Sequence, residues 1–317
     1  MRRPTAEEPF TNYVLDQCVE QGAEEFDWQD RWRAEPGSDP GPLKRGAGMA
    51  FKMFRATVGP SSAIMRVNSD EQYTVFVGVT DIGPGAKTTM SLIAAEALGV
   101  PLSQVDVVWG DTDRCPYSIG ESGSRTTTHT GYAVMQAALD LKAQIAAKGI
   151  PEGDNVLIAS ATPNPSNDGK RRMSFGAHFV EVEADVELGH VRITKYLAVH
   201  EAGRILNPLP ARDQIRGAVH QGIGQVLHED LLYDTRNGHP LNPGYYGARH
   251  LTHVDAPNIE VTFIETDDGL GPFGAKTVGE SGIMIAPPAV ANAIFNATGL
   301  RMKDMPITRD KILGALA

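Results

Sequence analysis

Residues 77–101 read VGVTDIGPGAKTTMSLIAAEALGVP, and the order of signals in that stretch decides the fold class. The apolar run Tyr73–Val79 leads into a loop, Thr80-Asp81-Ile82-Gly83-Pro84-Gly85. A helix is expected over about Ala86–Leu98, where Gly99 and then Pro101 stop it in the order that helix ends favour. On the N-terminal side, Ala63–Val67 pairs with Tyr73–Val79 as a hairpin across the turn residues Asn68-Ser69-Asp70-Glu71. On the C-terminal side come a strand, Val105–Trp109, a polar loop, and an Ala-rich helix from about Thr130 to Lys148, closed by Gly149. Strand, helix, strand, helix is the ordering of an α+β or α/β unit.

A Pro/Asn/Ser/Asp/Gly segment, Ala161 to Lys170, separates this unit from a second one. There, Ala177–Val186 and His190–Val199 read as a hairpin around Leu188-Gly189. A helix is expected from Pro208 to His228, a strand over Ile259–Glu265, and a helix over Pro287–Thr298 with its prolines in the first turn. Residues 1–45 are polar and carry the Gly/Pro-rich run Glu35–Pro42, which suits an arm better than a domain. The expected division is therefore an arm at 1–45, one subdomain at 46–165 and a second at 166–317.

Composition narrows the function. Of 317 residues, 41% are hydrophobic and 21% charged, as in a globular protein. The formal net charge of −10 leaves no surplus of cations to displace counterions from a nucleic acid, and Lys170-Arg171-Arg172 reads as a solvated loop. Two cysteines, Cys18 and Cys115, cannot form a disulfide framework or hold an iron–sulfur cluster, and suit a reducing compartment. The N-terminal Arg pair is followed by acidic residues rather than an apolar core, and no stretch reaches the ~20 apolar residues of a membrane span. A cytoplasmic protein is expected.

Four motifs bear chemistry, and each has a plainer reading beside it. Gly83-Pro84-Gly85, between strand and helix, is either a tight turn or a loop whose amides meet a phosphate; it spells neither a Walker loop nor Gly-x-Gly-x-x-Gly. Gly120-Glu121-Ser122-Gly123-Ser124-Arg125-Thr126-Thr127-Thr128 crowds hydroxyls ahead of a helix, for capping or for a pterin or phosphate. Asp213–Gly224 holds three glycines that cost a helix roughly 1 kcal/mol each, a cost tolerated where something packs close. Gln221 there either packs or offers its amide to a ligand. In Gly274–Gly282 a glutamate, Glu280, is flanked by glycines and enters the apolar run Ile283–Ala286. It is either an exposed loop residue or a buried general base with a raised pKa. His250 and His253 lack a third ligand and read as solvent or interface histidines.

Taken in order, these motifs resemble the molybdenum-binding subunits of the xanthine dehydrogenase and aldehyde oxidase family. The resemblance rests on Val77–Pro101, Val107–Val134, Phe175–Pro208, Gln214–Asp234 and Phe273–Arg301, and extends from about Gly46 to the C-terminus. It implies an α+β fold of two mixed α/β subdomains. It also implies a molybdopterin cofactor, expected as the cytosine dinucleotide, whose dithiolene holds the molybdenum so that no side chain here need ligate metal. Gly83, Gly85 and Ala86 would line the dinucleotide. Ser122, Gly123, Ser124, Arg125 and Thr126 would lie beside the pterin and metal, and Gln221 would contact the pterin. Lys276 and Val278 would support the loop carrying Glu280, the expected base in hydroxylating an N-heteroaromatic ring or an aldehyde with oxygen from water.

Three departures from the family pattern matter. Pro84 stands where the family usually has Gln, removing a side-chain amide and a backbone donor. The connection Ile150–Ser174 is shorter than usual. The first half of the molybdenum domain and the iron–sulfur and flavin domains are not in the sequence. With its Met1 start, the chain is expected to be a split subunit of the nicotinate dehydrogenase type. Its expected partners are a subunit bearing that first half, an iron–sulfur subunit and a FAD subunit. The alternative is a non-catalytic, cofactor-carrying scaffold that kept the fold. Tyr245, Tyr246, Arg249 and His250 are candidates for lining the substrate funnel.

Overall fold

A computed structural model describes residues 9–56, 59–164, 170–269 and 271–317. Its helices are α1 (Leu15–Phe26), α2 (Trp28–Arg31), α3 (Ala86–Leu98), α4 (Gly131–Lys148), α5 (Pro208–Leu227), α6 (Tyr245–Ala248), α7 (Ser281–Thr298) and α8 (Arg309–Leu316). Its strands are β1 (Leu43–Phe54), β2 (Ala63–Val67), β3 (Tyr73–Val77), β4 (Val105–Trp109), β5 (Leu157–Ala161), β6 (Ser174–Asp185), β7 (His190–Glu201) and β8 (Ile259–Ile264). They form two four-stranded sheets, β4-β3-β2-β5 and β1-β6-β7-β8, each mixed and antiparallel except for the pairs β3–β4 and β7–β8. Segregated sheets with helices laid on them make this an α+β fold.

The smaller sheet alternates buried and half-exposed residues along β2 and β3, and its buried face packs on α3 and α4. The longer sheet is covered on both faces. Val180, Val182, Tyr196 and Ala198 pack on α5 and α7, while Phe175, Ala177, Phe179, Leu197 and Val199 pack on α1. Burial on both sides explains why β6 reads as an almost unbroken buried run. Within it, His178 joins Tyr196 Oη (2.7 Å) and His200 Nε2 (2.8 Å), and burial pushes His178 down to about 3, with Lys52 adding to the shift.

The strand pairing does not follow the expected division at 45 and 165. Residues 15–26, expected as part of an N-terminal arm, form α1 on the long sheet, and β1 pairs along its whole length with β6. The smaller unit is an excursion of the chain between two neighbouring strands. Residues 1–8 and 165–169, within the expected arm and linker, lie outside the described residues.

Helix α7 begins at Ser281, six residues before its expected start, so that Pro287 and Pro288 lie in its interior. A proline there costs about 3 kcal/mol or more through its missing amide and its clash with the preceding turn. Burial of Ile285, Ala286, Pro287, Ala289, Val290, Ala293 and Ile294 offsets it. The glycines of α5 also find reasons. A Cβ on Gly222 would meet that of Ala286 on α7 at 2.7 Å, so α5 and α7 touch there almost backbone to backbone. Gly217 meets nothing within 4 Å, for it faces open space.

Candidate active site

That open space is a cleft of about 730 Å³ between the two units, in the size range of small-molecule sites. The smaller unit contributes the loop before α3 and the loop before α4; the larger contributes residues 202–207, one face of α5, and the loop from Ala275 into α7. Of the residues expected to form a site, Gly83, Ala86, Ser122, Gly123, Ser124 and Thr126 line the cleft from one side. Gln221, Lys276, Val278 and Glu280 line it from the other. At its edge, Arg204 grips Glu96 through two contacts (2.6 and 3.1 Å), an exposed pair that adds little stability.

Glu280 meets Ser124 across the cleft floor. Ser124 Oγ donates to Glu280 Oε2 (2.8 Å) and accepts from the Glu280 backbone N–H (2.8 Å). Thr277 Oγ1 donates to the Ser124 carbonyl, and Gln214 Nε2 donates to the Gly279 carbonyl (2.8 Å). Ser124 holds φ at +59°, a left-handed conformation that a non-glycine residue adopts at a cost. A side chain on Gly279 would meet Ser124 Oγ at 2.5 Å, which accounts for the glycine. The residues after Ser124, Thr126–Thr130, form a π-helical turn ahead of α4, a rare device that recurs at functional sites. Glu280 is exposed in the cleft, the first of the two readings that its sequence allowed.

Two expected residues lie elsewhere. The Arg125 side chain is fully buried and turned away from the cleft, its Nη2 donating to the carbonyls of Gly59 (2.7 Å) and Pro60 (2.8 Å). Its Nε and Nη1 have no partner among the described residues. Burial, with the charges of Arg125 and Arg172, pushes nearby His129 down to about 4. Gly85 caps α3 and does not line the cleft. Its amide (3.1 Å), that of Gly83 (3.1 Å) and that of Lys87 (3.2 Å) already donate to the Asp81 carboxylate. Partial burial works against that carboxylate, but bonds from Gly83, Lys87, Gly85 and Ala86 outweigh it and hold the group below the usual range. The amides expected to cradle a phosphate hold an internal anion instead.

Lys276 reaches the cleft with only part of its chain. Its Nζ points behind the loop, to Glu201 Oε1 (3.0 Å), Asn12 Oδ1 (2.6 Å) and the Met173 carbonyl (3.0 Å). The Gln221 side chain is exposed in the cleft and makes no side-chain hydrogen bond to another described residue. Gln214 and Gly217 lie in the motif Asp213–Gly224 and line the cleft with Gln221, although neither was expected as a site residue; their three- and four-residue spacing along α5 was the signal available. Tyr245, Tyr246, Arg249 and His250, expected at a funnel, are not part of this lining. Among the described residues no three His, Cys, Asp or Glu side chains gather to hold a metal ion, and no helix is long and apolar enough to cross a membrane.

The donor set suits a flat heterocycle. Ser, Thr and Gln side chains supply neutral donors and acceptors, and Gly217 leaves a groove that any side chain would narrow. The family model of the molybdopterin cofactor-binding domain matches residues 21–150 and 157–257. The chain belongs to this family of molybdenum hydroxylase subunits. It is 36% identical to the aldehyde oxidoreductase molybdenum-binding subunit PaoC of Escherichia coli K12, over an alignment of 335 positions that takes in 97% of its length. To the xanthine dehydrogenase molybdenum-binding subunit of Escherichia coli O157:H7 it is 31% identical over 94% of its length. It spans 46% and 45% of those two relatives, about half of each. The fold matches CO dehydrogenase of Oligotropha carboxidovorans with a TM-score of 0.87 at 22% identity, over 96% of this chain and 45% of that one. Glu280 lies beyond the residues that the family model matches, within the part covered by the fuller relatives.

Proposed function

We propose that this chain supplies the general base and much of the cofactor wall of a molybdenum-dependent hydroxylase. The supporting observation is the junction of Ser124 and Glu280, which presents a hydrogen-bonded carboxylate at the floor of a cleft walled by neutral donors. Ser122, Gly123, Ser124 and Thr126 would hold the pterin from one side and Gln221 from the other. The molybdenum pterin, when bound, supplies the acceptor for the two electrons that leave the substrate. Glu280 takes the proton from the water-derived nucleophile as it attacks an electron-poor carbon, beside a ring nitrogen or in an aldehyde. Ser124 holds the carboxylate in place through Oε2, which leaves Oε1 to accept the proton. The names of the aldehyde and xanthine relatives favour these substrate classes.

The cofactor is proposed to be the cytosine dinucleotide form. Its diphosphate would be met by groups other than the amides of Gly83 and Gly85, which Asp81 occupies. The proposed partners are a subunit carrying the first half of the molybdenum domain, an iron–sulfur subunit and a FAD subunit, assembled in the cytoplasm. Affinity purification from the native host followed by elemental and nucleotide analysis tests this reading. Stoichiometric molybdenum, iron and FAD with cytidine monophosphate released on hydrolysis are expected. Purification of the chain alone, free of molybdenum, would favour the non-catalytic scaffold.

A further inference from the structure

Behind the Glu280 loop, on the side away from the cleft, lies a buried polar cluster that the proposed chemistry does not use. Its centre is Glu201, the last residue of β7, whose side chain is fully buried. Oε1 accepts from the Gly203 amide (2.9 Å), from Lys276 Nζ (3.0 Å) and from Thr266 Oγ1. Oε2 has no partner among the described residues. Taking a carboxylate wholly out of water is costly, even after the surroundings relax. A group so placed needs its partners, and here they lie on both sides of one short ladder.

The ladder joins residues 202–204 to residues 274–276. Gly203 and Ala275 pair as an antiparallel bridge, the Lys276 amide donates to the Ala202 carbonyl (2.8 Å), and the Arg204 amide donates to the Gly274 carbonyl (3.3 Å). The strands approach so closely that a Cβ on Gly203 would meet the Gly274 carbonyl at 2.0 Å. Glu201 thus holds one strand through Gly203 and the other through Lys276. Four residues beyond Lys276 stands Glu280; this short span is also tied to Ser124 and Gln214 in the cleft, and Ser281 Oγ donates to its Val278 carbonyl (2.7 Å). The cluster also reaches the N-terminal segment: Asn12 Nδ2 donates to Thr266 Oγ1 (3.0 Å), and Thr11 Oγ1 donates to Asp268 Oδ2 (2.8 Å).

We propose that Glu201 is a positioning residue for Glu280, fixing from behind the loop that presents the base to the cleft. The cofactor side sets where the carboxylate points, through Ser124; the buried side sets where the backbone stands, through Glu201. This inference rests on the reading of Glu280 as the base, yet its structural part can be measured without turnover.

The test is hydrogen–deuterium exchange of the full chain with Glu201→Gln. Amides of residues 274–281 should exchange about tenfold faster or more, the size expected for losing a hydrogen bond to a charged group. Amides of the β2–β3 hairpin should keep their rate, which a merely global loss of stability would not allow. If Glu201→Gln leaves Lys276 unpaired and does not fold, Glu201→Gln with Lys276→Met removes that buried charge and is read the same way. In the assembled holoenzyme, with benzaldehyde and quinoline as probe substrates, kcat should fall about tenfold or more while KM and molybdenum content hold. Unchanged exchange at 274–281, or an equal rise across both units, would overturn the proposal. Full turnover in Glu280→Gln would instead remove the base reading and leave the loop result standing.

Discussion

Two glycine-rich loops of this protein stand at helix N-termini and treat negative charge in opposite ways. The loop Asp81–Gly85, ahead of α3, folds its own carboxylate back onto the amides of Gly83, Gly85 and Lys87. The loop Gly279–Glu280, ahead of α7, makes no side-chain cap and turns its carboxylate out to the hydroxyl of Ser124. Both sequences look like anion-handling loops, and a helix N-terminus favours an anion in each case. What separates them is which atoms remain available. Asp81 is consumed by structure, while Glu280, which lines the cleft, has Oε2 bonded by Ser124 and no hydrogen bond from a described residue to Oε1.

Of the two loops, the outward one should give the larger effect when its tie is broken. Ser124→Ala removes the hydroxyl that holds Glu280 and leaves the left-handed backbone in place. Turnover in the assembled enzyme should fall about 10- to 100-fold with molybdenum retained, as for other partners that orient a reacting group. Steady-state kinetics with metal analysis on the same sample checks this; unchanged kcat would mean that Glu280 needs no such partner. A smaller effect is expected at the inward loop. Asp81→Asn should lower stability by about 0.5–2 kcal/mol, the range for losing a helix-capping group. Thermal unfolding reads the loss, and turnover should change little. If Asp81→Asn instead abolished cofactor binding while the fold survived, the two loops would not differ in the way described.

The legibility of the chain follows the same line between local and distant causes. The boundaries of α3 and β4 were readable because Gly85, Gly99 and Pro101 punctuate them locally. Strand β1 was not, because its partner β6 lies more than a hundred residues away and its own residues are partly exposed. Helix α1 hid in a polar segment, although Leu15, Cys18, Gly22 and Phe26 mark one buried face at helical spacing. The start of α7 was misplaced because local rules put proline in a first turn, and packing against α5 and the long sheet outweighed them. In the site, Glu280 and Ser124 stood out in sequence through their motifs, but their contact joins residues 156 apart. The inward turn of Arg125 and the capture of the loop amides by Asp81 are matters of side-chain direction, which spacing does not encode.

The central claim is that Glu280 moves the proton at the cleft. The most direct measurement is the single-turnover rate of the assembled enzyme with Glu280→Gln, taken beside its molybdenum content. Glutamine keeps the shape and the bond to Ser124 but cannot accept the proton. A rate lower by about 10² to 10⁴ with full molybdenum is predicted, the usual contribution of a general base. A rate within about twofold of the parent, at full molybdenum, would contradict the account, since a tenfold loss is already only 1.36 kcal/mol.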